Sequence, residues 1–351
     1  MRRIILAVML ALVIAAITGG TAFASFASAK PNGHVVRPGQ SIQKAINAAD
    51  PGDTIVVSGV HHEDVVIRKN GIKLVGDNAV LKPPATGKSK CNAGICVLGD
   101  VDFHTGKVSS YVQNVSVIGF TTRNFKDFGI VAFGAQDARF MKNRAFDNGE
   151  YGITAFSSSG TKIIANLTSG SGEAGIYVGD SPHADATVAA NETYNNLFGI
   201  LVRNALHGKI TANQVHNNCD GMLFLADAPG PAGVFDVMDN KVWNNTRACP
   251  ATEETPPISG IGIALLGARG MQINGNQIIH NVPSGPTKPP FHSGGVVVVS
   301  SFKGTLPTNN TVTGNTILRN KPDIFWDKSG SGNRLKPNNC KTSKPGRLCE
   351  G

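Results

Sequence analysis

Along the chain from Phe128 onward, apolar residues come in short bursts separated by Gly, Asn, Asp and Ser, a rhythm too tight for a helix face. The bursts FGIVAF, YGITAF, AGIYVG, FGILV and GMLF each carry a glycine followed by Ile or Met. Those glycines, Gly129, Gly152, Gly175, Gly199 and Gly221, are separated by 23, 23, 24 and 22 residues. A fixed period of this size marks a stacked repeat. It is too short for a helical hairpin, and the leucine spacing of a horseshoe repeat is missing, so each period predicts one turn of a right-handed parallel β-helix. Alternation along each strand then sends Ile130, Ile153, Ile176 and Ile200 inward and Val131, Thr154, Tyr177 and Leu201 outward.

Two polar positions recur ahead of the bursts. The first is held by Asn143, Asn166, Asn191, Asn213, Asn240, Asn276 and Asn315; the second, five residues later, by Asn148, Ser171, Asn196, Asn218, Asn245, Asn281 and Asn320. Asparagine tolerates the left-handed backbone of a tight corner, and its amide both donates and accepts. Aligned over successive coils, these side chains should form hydrogen-bonded ladders.

The rhythm is interrupted twice. From the second asparagine to the strand glycine takes 4 residues at Asn148–Gly152 and 3 at Asn196–Gly199, but 17 at Asn245–Gly262 and 14 at Asn281–Gly295. Both insertions leave from one corner of consecutive coils, so they should lie side by side and shape a surface. At the other end, Ser41 is placed to cap a short helix over residues 41–50, with Ile42, Ala45, Ile46 and Ala49 on one side to cover the open first coil.

Length and composition refine this picture. A chain of 351 residues is one elongated solenoid domain, residues 30–351, rather than two or three globular ones. Residues 1–29, with Arg2 and Arg3 before an apolar run and small-residue sites at 22–24 and 27–29, read as a secretory signal peptide. The rest contains no segment that could span a bilayer. Losing the two arginines takes the net charge from +9 to +7, a thin excess without a basic cluster. That excludes a nucleic-acid footprint and leaves an attraction to acidic glycans. Six cysteines in an exported chain imply three disulfides, and closeness in sequence favours Cys91 with Cys96, Cys219 with Cys249, and Cys340 with Cys349, the last closing a tail over residues 328–351.

The opening PGQSIQKAINAADPGDTIVV, followed by IKLVG, resembles the start of secreted right-handed β-helix proteins of the pectate-lyase-like superfamily. The tail PDIFWDKSGSGNRLKPNNCKTSKPGRLC is similar to the end of an actinobacterial branch of that group, whose members have many activities or none assigned. The resemblance implies an all-β, single-stranded right-handed parallel β-helix of about ten coils with a short N-terminal capping helix. It also implies a secreted, extracellular protein that acts on or binds a polysaccharide or cell-wall glycan, as a lyase, hydrolase or epimerase on an acidic polymer. The alternative is a non-catalytic extracellular or cell-envelope binding protein. Neither oligomeric state nor enzymatic status follows from the residues.

Pectate lyases and their relatives display carboxylates, Lys or Arg on the outward strand face. Here that face is mostly apolar, which counts against a cleaving groove along these strands. One polar cluster stands apart: Asp180, His183 and Asp185 past one strand, Arg203 and His207 in the next coil, and Asp227 beyond. His183 and His207 each follow their strand glycine by eight residues, which predicts that they stack about 5 Å apart. Asp180, His183, Arg203 and His207 are therefore the candidate catalytic residues, with Arg203 to hold a uronate carboxylate and a histidine to move the proton. The carboxylates would also suit a divalent ion such as calcium. Asp180-Ser181-Pro182-His183 resembles the Asp-Pro-His motif of mannuronan epimerases, from which it departs by one inserted serine. A second stretch, His61, His62, Glu63 and Asp64, reads as a structural turn.

Overall fold

Each apolar burst becomes a strand that pairs in parallel with the burst one period on. The computed structural model describes residues 33–85, 89–102, 105–227, 230–253 and 255–349. The expected signal peptide lies outside them.

Among the described residues, eleven strands stack into one track running from Val65–Ile67 to Ser343–Lys344. Its register joins Val131, Thr154, Tyr177, Leu201, Leu223, Ala264, Val297 and Phe325 in one outward row, and Phe133, Phe156, Gly179, Arg203, Leu225, Leu266 and Val299 in the next. Ile130, Ile153, Ile176, Ile200, Met222, Ile263, Val296 and Ile324 point the other way and fill the interior of the solenoid. The remaining strands form the other walls, so that the whole is a parallel β-helix of about ten coils.

The asparagine corners form the ladders. In the first, each Nδ2 donates to the next Oδ1 from Asn143 through Asn166, Asn191, Asn213, Asn240, Asn276 and Asn315 to Asn338, at 2.9–3.1 Å. The second runs from Asn196 through Asn218, Asn245 and Asn281 to Asn320, which ends on the Asp323 carboxylate. Each Oδ1 also accepts the backbone N–H of the asparagine before it, so the buried corners lose little hydrogen bonding on leaving water.

The first coil is covered by the helix Ile42–Ala48, whose Ile42 and Ile46 are buried. Ser41 caps it, and Glu63 reinforces the cap by accepting from Ser41 Oγ at 3.0 Å and from the Ile42 amide at 2.6 Å. Asp64 accepts from Ser89 and from the Lys90 and Cys91 amides. Burial alone would raise its pKa, but these hydrogen bonds and the Lys90 charge prevail and lower it. His61 is buried against the Gln40 and Ser58 carbonyls. The stretch is structural, but only in part the expected turn: His61 and His62 end the strand Thr54–His62, and Glu63 and Asp64 link it to Val65–Ile67.

Three disulfides join Cys91 to Cys96, Cys219 to Cys249 and Cys340 to Cys349. The second ties the first insertion to the coil below. The insertions lie side by side: Ser284 donates its amide to Ser259 Oγ at 2.9 Å, and Ser293 Oγ donates to the Ser259 carbonyl at 2.9 Å. Together they fold over the apolar outward face, where Ile258 and Phe291 join Tyr177, Leu201, Leu223, Ala264 and Val297 in a second buried cluster. The apolar outward rows are thus packing surface beneath a roof.

Candidate functional site

The roof leaves an opening where the strands Phe198–Thr211 and Asp220–Leu225 meet the insertions, a cleft of about 320 Å³. Its floor is Leu201, Leu223 and Leu225, outward residues of those strands. Phe198 and Glu173 form one side, Arg203 and Asp227 another, and Thr255, Phe291, Phe302 and Lys303 come from the loops above. The Phe198 and Phe291 rings lie 6.2 Å apart, and Phe291 meets Phe302 edge-on at 5.5 Å, giving a continuous aromatic wall between strand and roof.

The charges are organised by two buried phenols. Tyr177 reaches across Gly179 to hydrogen-bond with Arg203, and any Cβ at Gly179 would come within 2.0 Å of the Tyr177 hydroxyl. Arg203 also donates to Asp227 at 3.1 Å, and Asp227 donates its amide to Asn204 Oδ1 at 2.8 Å. Burial works against the Arg203 charge, but Tyr177, Asp227 and Asp180 outweigh it and raise its pKa. Tyr151 hydrogen-bonds to Glu173 in the same way. Burial first, then neighbouring carboxylates, push both phenols well above their usual range, so they remain hydroxyl donors at any physiological pH.

The four residues singled out from sequence are distributed over three concavities. Arg203 lines the cleft under the insertions. Asp180 and His183, both exposed, line a second cavity of about 360 Å³ with Tyr111, Gln136 and Ser157–Ser159. His207 lies in a third, beside Asp185, Lys209 and Asp236.

The expected stacking of His183 on His207 does not form. Ser181 pairs with Ala205, an offset of 24, whereas Ala186 pairs with Gly208, an offset of 22. The turn between them holds two extra residues, and the Ala184 amide bonds to the Leu206 carbonyl at 3.0 Å, which takes His183 out of register. Asp180 and Asp227 do fall in related positions, with Asn204 between them.

Glu173, Phe291, Phe302 and Lys303 were not legible as site residues. Glu173 sits two residues before a strand glycine, a position with no chemical signature, and the others ride on segments outside the repeat. No group of three or more His, Cys, Asp or Glu side chains among the described residues is arranged to hold a metal ion.

The model of the right handed beta helix region matches residues 53–183 and 155–346. Among solved structures, the ORF18 protein of Geobacillus virus E2 shares 14% identity and a TM-score of 0.59, covering 84% of this chain and 56% of its own length. The chain thus spans little more than half of that viral protein. The DFA-IIIase of Arthrobacter chlorophenolicus A6 in complex with DFA-III gives 14% identity and a TM-score of 0.56 over 86% of this chain and 93% of that one. The A-module of a mannuronan C-5 epimerase from Azotobacter vinelandii gives 16% identity and a TM-score of 0.52 over 86% and 85%. At such identities the likeness is one of fold. No curated protein sequence matches the chain.

Proposed function

The chain belongs to the right-handed β-helix family, and on that premise we propose that it binds a carbohydrate chain in the cleft beneath the two insertions, outside the cytosol. One observation carries this reading: the roof seals the apolar face and leaves an opening where an aromatic wall meets Arg203, Asp227, Glu173 and Lys303. A sugar ring has apolar C–H faces and a rim of hydroxyls. Phe302, 39% exposed and backed by the buried Phe291, matches a face, and the charged groups match the rim. Arg203 and Lys303, on a chain of net charge +7 once Arg2 and Arg3 are removed from +9, favour an acidic glycan. A DFA-IIIase and a mannuronan epimerase share the fold, and three disulfides fit an exported protein. Polysaccharide is therefore the ligand class, with a lyase, hydrolase or epimerase reaction as its catalytic form.

In that catalytic form Glu173 and Asp227 supply the carboxylates for proton transfer, while Arg203 orients a uronate. The non-catalytic alternative, an extracellular or envelope glycan-binding protein, is favoured by the commitment of Arg203 to Asp227 and Tyr177 and by the placement of both histidines elsewhere.

The test is calorimetric titration of the mature protein with polyuronates and neutral glycans, paired with assays for new unsaturated or reducing ends. Binding that falls about tenfold in Phe302→Ala and Arg203→Ala supports the cleft. Product formation lost in Glu173→Gln identifies the catalytic form; binding without product identifies the non-catalytic one. No binding to any glycan overturns the reading.

A further inference from the structure

The positive charge of the chain, thin along most of its length, gathers at the C-terminal end of the solenoid. Residues 319–347 hold eight Lys and Arg against two carboxylates, a net +6 of the +9 on the whole chain. Arg319, Lys321 and Lys328 lie on the next-to-last coil and the turn leaving it, and Arg334, Lys336, Lys341, Lys344 and Arg347 lie on the last. There Arg334 pairs with Thr311 and Lys344 with Phe325, so at the strand spacing all eight fall within about 10 Å of the solenoid's length. Each is exposed, and none is ion-paired among the described residues. The two carboxylates are committed elsewhere: Asp323 is buried and accepts from the Asn320 side chain and the Lys341 and Thr342 amides, and Asp327 accepts from the Ser300 and Ser329 amides. The Cys340–Cys349 disulfide closes the loop that carries Lys341, Lys344 and Arg347, and Lys344 Nζ lies 5.6 Å from the centre of the Phe325 ring. These cations are thus held on a closed segment rather than a free tail, and less freedom is lost when an anion docks on them.

We propose that this end is a docking surface for a hydrophilic phosphodiester polymer of the cell envelope, separate from the cleft and in use whatever the cleft binds. Charge is the recognition it offers, because no large apolar or aromatic side chain is exposed among residues 319–349. Without an apolar anchor the end has no means to enter a bilayer, and without an exposed ring it has no platform for a base or a sugar face. Recognition by charge alone selects the chain with the densest fixed charge. A phosphodiester keeps a full negative charge on every repeat at physiological pH, and its oxygens suit both the arginine fork and the lysine point charge. A second copy of this chain offers no match, since at the opposite end Asp53 and Asp64 are buried and Glu63 caps the helix. Docking by the end leaves the cleft open: its floor strand Asp220–Leu225 lies four rungs from Ser343–Lys344, about 20 Å away.

The experiment is calorimetric titration of the mature protein with poly(glycerol phosphate). Two end variants are compared with wild type, one combining Lys341→Gln, Lys344→Gln and Arg347→Gln, the other Lys328→Gln, Arg334→Gln and Lys336→Gln. A control combines Lys73→Gln, Lys126→Gln and Lys162→Gln, which removes the same charge from exposed positions on other coils. Circular dichroism melts verify that each variant is folded. The wild type should bind and lose most of its affinity as salt rises from about 50 mM to about 500 mM. Each end variant should bind about tenfold more weakly, and the control within about twofold of wild type. Equal weakening in the control and the end variants would assign the binding to net charge and overturn the docking surface. It is overturned as well if the wild type does not bind, if its affinity ignores salt, or if phosphatidylglycerol vesicles, polygalacturonate or duplex DNA bind more tightly than the phosphate polymer.

Discussion

Asn218 and Ser171 occupy the same rung position of the second ladder, and exchanging what they supply puts a number on that ladder. Asn218 Oδ1 accepts from the Asn196 amide at 3.0 Å and from Asn196 Nδ2 at 3.2 Å, while its own Nδ2 donates to the Thr193 and His216 carbonyls and to Asn245 Oδ1. Asn218→Ala removes all five contacts and takes the acceptor from two buried donors. At about 1–3 kcal/mol for each of the two buried donors left unmatched, the loss is about 2–6 kcal/mol. With about 2–4 °C of midpoint per kcal/mol in a chain of a few hundred residues, the thermal transition should fall by about 4–24 °C. At Ser171 the ladder is already broken: Asn148 Nδ2 and Ser171 Oγ are buried without a partner among the described residues. Ser171→Asn restores the acceptor and should raise the midpoint by a few degrees, about 1 kcal/mol. Circular dichroism melts, with hydrogen exchange to locate the affected coils, measure both. A melt of Asn218→Ala within about 2 °C of wild type would show that the ladder is ornamental and refute the reasoning.

Two further outcomes follow from the covered face. Asp220 is fully buried between Phe198 and Ile261, neither oxygen has a complete hydrogen bond among the described residues, and burial raises its pKa against the weak opposing pull of the Met222 amide. The folded state therefore holds this proton above about pH 4, where the unfolded chain releases it, so the contribution is intact at low pH and stability declines as pH rises towards the folded pKa. Asp220→Asn should flatten that decline in urea titrations across the pH range; an identical slope in both proteins sinks the assignment. Cys219 and Cys249 close a span of 30 residues and tie the first insertion to the strand that floors the cleft, worth about 3–4 kcal/mol in the chain-entropy account. Replacing both with Ser should lower the urea midpoint and loosen the roof enough to weaken glycan binding, whereas unchanged binding would show that Phe291 and Ile258 hold the roof unaided.

By itself the sequence determined the coil, its period, both asparagine ladders and the parallel sense of the repeat strands, though not the antiparallel hairpin of Asp100–Asp102 and Lys107–Ser110. In a solenoid every contact is made with the adjacent coil at a nearly constant offset, so Asn191 can be matched to Asn213 without knowledge of anything remote. The disulfides were legible for a related reason, since each joins cysteines that are near in sequence or separated by one coil. What only the tertiary structure decided lies where that constancy fails. Two extra residues after Ser181 part His183 from His207, because a corner can absorb length without disturbing the strands on either side. The insertions carry no repeat, and their resting place is set by long-range burial of Ile258 and Phe291 on an outward face that looked merely apolar. Glu173, Arg203 and Lys303 line one cleft although Lys303 rides on the loop after the strand Gly294–Val299, outside the repeat, which a nearest-neighbour pattern in the chain has no means to encode.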